Sequence, residues 1–276
     1  MIRAAVLGSP IAHSLSPQLH KIAYEYLEIE GEYSRFDVKS GQLPTFLTSH
    51  PDLNSLSLTM PLKEEALLVA ETISPIALQI KSGNTLSKKD GKWELTSTDV
   101  EGFLKSWEFH GAQPTGSVLI IGSGATARAA AAACDSDARM KGREIHVLHR
   151  NPDRELGMRA AAPASSLIFH PWDSLSLINQ MDAVINTTPA GIADVFCDQV
   201  SKPQGVLFES IYNPWPSRLM KSWTDFGAPT IDGIDLLVHQ GISQIEIFSG
   251  LRIDRGALAE LMRRKAIELL GESTER

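Results

Sequence analysis

The segment Gly122-Ser-Gly-Ala-Thr-Ala-Arg128 follows the apolar run Val118-Leu-Ile-Ile121 and precedes the alanine run Ala129-Ala-Ala-Ala-Ala133. A short apolar strand, a glycine-rich turn and a small-residue helix open a nucleotide-binding βαβ unit. Glycine permits the tight turn, and the backbone amides at the helix N-terminus face a phosphate. Taken alone, the same glycines also suit a tight βα turn that binds nothing. Position constrains the fold as strongly as pattern does, because the unit starts only near the middle of the chain. The 276 residues are long for one hydrophobic core and ample for two. The fold class expected is therefore α/β: an N-terminal α/β domain followed by a Rossmann-like, doubly wound dinucleotide-binding domain.

Composition removes several classes of function. Hydrophobic residues make up 43% of the chain, enough for two cores, and a net charge of −7 leaves no basic stripe for nucleic acid. Two cysteines, Cys134 and Cys197, supply neither a disulfide framework nor a metal ligand set, and His13 and His20 have no partners at metal spacing. The run Met1–Leu7 meets Gly8 and Pro10 too soon for a signal peptide or a membrane span and is expected to be the first strand. A soluble cytoplasmic protein with no membrane or nucleic-acid partner is expected, a monomer or a homodimer.

Along the first hundred residues, Ser16-Pro17 precedes apolar residues at helical spacing, with Ser16 expected as N-cap and Pro17 as the first helical residue. Strands are expected near 32–38 and 55–59, helices near 43–49 and from Pro61 through Ala70, and a hairpin over 84–87 and 92–96. A helix over 100–110 leads to the glycine turn. Strands near 144–148, 167–170, 183–186, 206–209 and 230–231 then alternate with helices, the rhythm of a doubly wound sheet. Two helices near 234–248 and 254–270 are surplus to that sheet. The domains expected are 1–100 with 236–276, and 101–235.

Several residues in this frame suit chemistry. The strand after the glycine turn ends in His149-Arg150-Asn151-Pro152-Asp153-Arg154. An NAD site places a carboxylate there for the ribose hydroxyls. Arg150 and Arg154 instead favour the 2′-phosphate of NADP, though two arginines also make an ordinary solvated turn. Lys63 falls in the first turn of the helix opened by Pro61, where a cation is disfavoured and its proton more easily exchanged; a plain surface lysine is the competing interpretation. Asp99 suits a first helical turn beside a Thr98/Glu101 capping box, and it also suits a site. Ser14 and Ser16 set two hydroxyls near a helix N-terminus, suitable for a small carboxylate or for simple capping.

Taken in order, Gly8-Ser-Pro-Ile-Ala-His-Ser-Leu-Ser-Pro17, Thr59-Met-Pro-Leu-Lys63, Asn84-Thr85, Thr98-Asp99, Gly122–Arg128, Asn186-Thr-Thr-Pro-Ala-Gly191, Ile211-Tyr-Asn-Pro214 and Gly233-Ile-Asp-Leu-Leu-Val-His-Gln240 resemble the shikimate dehydrogenase family. The turns at 212–216 and 237–240 look most like those of actinobacterial members. The resemblance implies reversible NADPH-dependent reduction of 3-dehydroshikimate to shikimate, in aromatic amino-acid biosynthesis. It also implies roles. Lys63 would transfer the proton and Asp99 would pair with it. Ser14, Ser16 and Tyr212 would bind the substrate carboxylate, while Thr59, Asn84 and Gln240 would orient ring hydroxyls. The cofactor would be held by Gly122, Ser123, Gly124, Ala125, Thr126 and Ala127, by His149, Arg150 and Arg154, and by Thr187, Ile211 and Gly233, with no metal. Two rival expectations are a quinate/shikimate dehydrogenase using NAD and a noncatalytic binder on the same fold. The chain departs from the family pattern at Ser57 and Ser97, commonly asparagine, at Ala125, commonly glycine, and at Ile192 and Leu236, commonly methionine.

Overall fold

A computed structural model describes residues 1–111, 116–136 and 143–274. The chain divides into two compact units, Met1–Thr98 with Leu237–Arg276, and Asp99–Leu236.

The first unit opens with strand β1 (Ile2–Gly8), helix α1 (Ser16–Tyr26), β2 (Gly31–Asp37), α2 (Leu43–Ser49) and β3 (Ser55–Leu58). It continues through α3 (Leu62–Glu65), β4 (Thr72–Ile73), α4 (Pro75–Ile80), β5 (Thr85–Lys89) and β6 (Lys92–Thr96). The sheet order is β2-β1-β3-β5-β6-β4. Strands β2, β1 and β3 run parallel, with Val6 opposite both Arg35 and Ser57, and β3-β5-β6 continue antiparallel. The β5–β6 turn puts Asp90 and Gly91 at φ 50° and 80°, the left-handed pair that a two-residue hairpin turn needs. Leu7, Leu56, Leu58, Leu62, Leu86 and Leu95 pack into one core, and burying each such side chain contributes about 2 kcal/mol.

Two expected starts and stops differ. Leu15, not Ser16, occupies the N-cap of α1 in a helical conformation and makes no side-chain cap, so Ser16 is the first helical residue and Pro17 the second. The cap fails because the chain is already helical at Leu15. The Ser14 hydroxyl instead accepts from the Ser16 amide, at 3.3 Å. The helix after Pro61 is also shorter than its apolar spacing predicts. Four α-helical residues tighten into a 3₁₀ turn over Ala66–Leu68, since the chain must reach β4, which pairs with β6. Lys63 therefore sits in a single turn, and the aligned peptide dipoles invoked for it are few.

The second unit carries α5 (Asp99–Phe109), β7 (Val118–Ile121), α6 (Ala125–Ser136), β8 (Glu144–His149), α7 (Glu155–Ala161) and β9 (Ser166–Pro171). Then come β10 (Ala183–Asn186), β11 (Val206–Glu209), α8 (Arg218–Thr224) and β12 (Thr230–Ile231). All six strands are parallel, in the order β12-β11-β10-β7-β8-β9. Winding starts at β7, proceeds to β9 on one side, and resumes at β10 on the other. The C-terminal ends of β7 and β10 thus flank the switch point where such sheets bind ligands. Strands β7, β10 and β11 are buried along their whole length, which explains their apolar runs, broken only by Asn186 and Glu209 at the ends of β10 and β11. In α6, Ala129–Ala133 are at most 1% exposed, and the absence of larger side chains lets α5 and α7 pack closely.

Helix α9 (Gly233–Ser249) begins in the second unit and continues into the first, where α10 (Arg255–Thr274) packs on α1. An Arg255–Glu246 ion pair ties α10 to α9. Among the described residues no helix is long and apolar enough to cross a membrane.

Candidate functional site

In the first unit the residues singled out by sequence gather at the C-terminal ends of β1 and β3, where its own strand order reverses. Gly8 ends β1, and an added Cβ would lie 2.3 Å from Thr59 Cγ2, so glycine is what allows the Thr59 turn to close over the strand. The Ser9 amide donates to the Met60 carbonyl and the Thr59 amide to Leu7, locking the two loops together. Ser14 and Ser16 are both buried. Their loop is held from outside by Arg35, whose guanidinium donates to the carbonyls of Ala12 at 2.5 Å and Ser14 at 3.4 Å. Half-buried Lys63 is fixed through its backbone, since its carbonyl accepts from the Gly83 amide at 2.8 Å. Glu65, two residues on, anchors α3 by accepting from the amides of Gly41 and Leu43 at the start of α2.

Asn84 is the hub of this region. It is 2% exposed. Its Nδ2 donates to Thr98 Oγ1 at 3.0 Å and Gln240 Oε1 at 3.1 Å, and its Oδ1 accepts from the Thr98 amide and the Thr85 hydroxyl, both at 2.8 Å. Thr98 precedes α5, and its hydroxyl and amide are turned to Asn84. One helical turn beyond Gln240, Gln244 donates to the Asn84 carbonyl at 3.1 Å and accepts from Ser57 at 2.8 Å, while Tyr33 donates to Ser57 at 2.6 Å. Sequence reasoning passed over Gln244, Tyr33 and Arg35. For Gln244 a signal existed, its i,i+4 spacing from Gln240 on one helix face. The serine at position 57 is built into this chain of hydrogen bonds. Ser97 Oγ, by contrast, is buried without a hydrogen-bond partner among the described residues.

Behind the hub, His20 is 1% exposed, stacked on Tyr33 with centroids 3.9 Å apart and edge-on to Tyr24. Burial pushes its imidazole down to about 3, against a smaller upward pull from Gln244. His20 is thus a neutral packing group at neutral pH.

In the second unit Gly122 has φ +112°, and an added Cβ would lie 2.6 Å from Thr187 Oγ1. Thr187 spans the switch point, its hydroxyl donating to the Ile121 carbonyl at 2.8 Å. An added Cβ on Gly124 would meet only Arg154 Nη1, at an ordinary contact distance of 3.6 Å. A glycine that no protein atom requires, beneath an exposed arginine and at the start of α6, fits a phosphate-bearing dinucleotide. Ala125 already lies within α6, where a third glycine is not needed for the turn. Ser123 and Ala127 are buried, while Ala125 and Thr126 are half-buried.

At the end of β8, His149 is buried, with Nδ1 facing the Asn151 carbonyl at 3.0 Å and Nε2 facing Glu155 at 3.3 Å. Arg150 is exposed, its guanidinium 5.2 Å from the Trp172 ring centroid. Both arginines are presented to solvent, Arg154 beside the glycine turn, and Glu155 is taken by His149. Ile211 and Gly233 are in close apposition, since an added Cβ on Gly233 would lie 2.4 Å from the Ile211 carbonyl carbon. Tyr212 is half-buried in the same turn. Asp99, 5% exposed, is the first residue of α5.

A family model described as the shikimate dehydrogenase substrate binding domain matches residues 6–86, the stretch that contains Ser14, Thr59, Lys63 and Asn84. A shikimate dehydrogenase (NADP(+)) of Thermus thermophilus is 32% identical over 269 residues, covering 96% of this chain and 98% of its own. The chain belongs to the shikimate dehydrogenase family. Among solved members of that family, the Mycobacterium tuberculosis enzyme is 31% identical with a TM-score of 0.84, covering 96% of this chain and all of its own. The shikimate 5-dehydrogenase of Thermus thermophilus in complex with NADP(H) and shikimate is 29% identical with a TM-score of 0.82 and the same coverage. Within the shikimate dehydrogenase frame, the departure at Ser57 is accommodated by Tyr33 and Gln244, whereas that at Ser97 leaves a buried hydroxyl unmatched.

Proposed function

We propose that this protein is an NADP-dependent shikimate dehydrogenase, catalysing the reversible reduction of 3-dehydroshikimate to shikimate in aromatic amino-acid biosynthesis. The observation that carries this reading is the fixed amide and hydroxyl cluster around Asn84, within and beside the stretch matched by the substrate-binding family model. A ligand bearing several adjacent hydroxyls needs donors and acceptors at set angles. Asn84 and Gln240 are held by Thr98, Thr85 and the Leu237 carbonyl and so pay little ordering entropy when a ligand arrives.

In this mechanism Ser14, Ser16 and Tyr212 hold the substrate carboxylate, neutral donors sharing the anion. Thr59, Asn84 and Gln240 orient the ring hydroxyls. Lys63 holds the oxygen at the reacting carbon and gives it a proton in the reductive direction, so that charge does not build up there; in the oxidative direction its amine takes the proton back. Asp99 accepts a hydrogen bond from a substrate hydroxyl and pairs with the Lys63 ammonium. Gly122–Ala127 hold the dinucleotide phosphates, Arg150 and Arg154 the 2′-phosphate with His149 supporting their turn, and Thr187, Ile211 and Gly233 the nicotinamide end. When bound, the nicotinamide supplies or accepts the hydride.

The test is a spectrophotometric assay with shikimate or quinate, each with NADP⁺ or NAD⁺. Turnover of shikimate with NADP⁺ well above the other three pairs supports the reading. Equal use of NAD⁺ and NADP⁺ removes the role given to Arg150 and Arg154, and tight shikimate binding without NADPH formation replaces the enzyme with a binder.

A further inference from the structure

Glu209 ends β11 and is 1% exposed, and nothing in the mechanism above uses it. Carboxylates are rarely so buried unless their oxygens are matched. Here Oε1 accepts from Asn186 Nδ2 at 2.8 Å and from the Ile211 amide at 3.4 Å, and Oε2 accepts from Ser217 Oγ at 2.7 Å.

Each partner belongs to a different piece of the dinucleotide unit. Asn186 ends β10 at the switch point, and its Oδ1 accepts from the Thr188 amide at 3.1 Å and hydroxyl at 2.8 Å, shaping the turn that carries Thr187. Its carbonyl also accepts from the Ser210 amide at 3.0 Å. Ser217 caps α8 by accepting from the Met220 amide at 3.1 Å, closing the loop that begins at Ser210. On its other side, the Ser210–Ile211 backbone meets Gly233, where an added Cβ would lie 2.8 Å from the Ser210 carbonyl and 2.5 Å from that of Ile211. The Ile211 peptide is therefore clamped between a glycine on one side and a carboxylate on the other.

We propose that Glu209 is a positioning residue for the nicotinamide end of the cofactor, its carboxylate setting the Ile211 backbone and the Thr187 turn in register with each other. This rests on the dinucleotide reading given above. Burial raises the Glu209 pKa, against lowering by the hydrogen bonds from Ser217, Asn186 and the backbone. The group is thus desolvated as well as matched, and a shorter side chain there leaves three donors orphaned at once. The action is through acceptor geometry. A glutamine keeps the Oε1 acceptor toward Asn186 and Ile211, while the bond to Ser217 reverses, Nε2 donating to the Ser217 hydroxyl oxygen.

The experiment is calorimetric titration of the full chain with NADP⁺ and with adenosine 2′,5′-bisphosphate, which lacks the nicotinamide end. Glu209→Ala is expected to weaken NADP⁺ about tenfold or more while leaving the bisphosphate within about twofold. Glu209→Gln should restore NADP⁺ to within about threefold of the parent. If Glu209→Ala does not fold, Ser217→Ala keeps the carboxylate but removes one donor, and is expected to lower the NADP⁺ to bisphosphate affinity ratio about threefold. A ratio equal to the parent's in the variant that folds overturns the proposal, whether both affinities hold or both fall together. In that case a parent that binds both nucleotides leaves the dinucleotide reading standing. A parent that binds neither overturns the reading and the proposal with it.

Discussion

Acidification should destabilise this protein through His20 in a way that one substitution removes. The imidazole is enclosed by Tyr33, Tyr24 and Phe248, with ring centroids 3.9, 5.7 and 6.2 Å away, and burial lowers its pKa from 6.5 to about 3. Above pH 6.5 both folded and unfolded chains hold it neutral, and it contributes nothing to the pH dependence. Below that, the unfolded chain binds a proton that the folded chain refuses, so stability falls with pH until the folded pKa is reached. The loss is about 1 kcal/mol at pH 5.5 and about 3 kcal/mol at pH 4.5, from one proton taken up only on unfolding. His20→Phe keeps a ring against Tyr33 and deletes this share. Urea unfolding of parent and variant, compared at these pH values and near pH 7.5, isolates it because other titrating groups cancel between the two proteins. The parent should lose stability faster than the variant by the amounts given, and parallel pH curves would refute the assignment of a buried neutral histidine.

Two further outcomes follow from the packing of the site. Gly122→Ala places a Cβ 2.6 Å from Thr187 Oγ1 at φ +112°, so NADP⁺ affinity measured by fluorescence quenching should fall at least about tenfold, with a strain cost of about 1–3 kcal/mol in thermal unfolding. Gln244→Leu removes the acceptor of Ser57 and the donor to Asn84, and is expected to raise the shikimate KM by about tenfold with the NADP⁺ KM unchanged in steady-state assays.

Much of the fold was legible because local rules and tertiary packing agree. The run Val118–Ile121, buried on both faces, cannot be anything but an interior strand once Gly122 breaks it, and the alanines of α6 announce a helix that packs without bulk. Among elements of one or two turns, α2 was legible at 43–49, but others were not. Helices α4, α7 and α8 have six or seven residues each, too few for a periodic signal to rise above the prolines and glycines around them. The extent of α3 was misread because pairing of β4 with β6 overrides the helical spacing that runs on to Ala70.

At the site, motif residues such as Lys63, Asn84 and Gln240 stood out by their neighbours in sequence. Their supports did not, because contacts such as Ser57 to Gln244 join positions 187 residues apart and follow no local rule. Glu209 was read only as the end of a strand. Its role in the loops follows from where Asn186, Ile211 and Ser217 converge, which no spacing reveals.

The central claim is that the Lys63 amine moves the proton while the dinucleotide unit supplies the nucleotide. Its most direct measurement is steady-state oxidation of shikimate by NADP⁺ in the parent and in Lys63→Ala, with NADP⁺ binding titrated separately on both. A kcat lowered by at least about a hundredfold with the NADP⁺ Kd unchanged is the expected result. A variant that turns over shikimate as fast as the parent would contradict it.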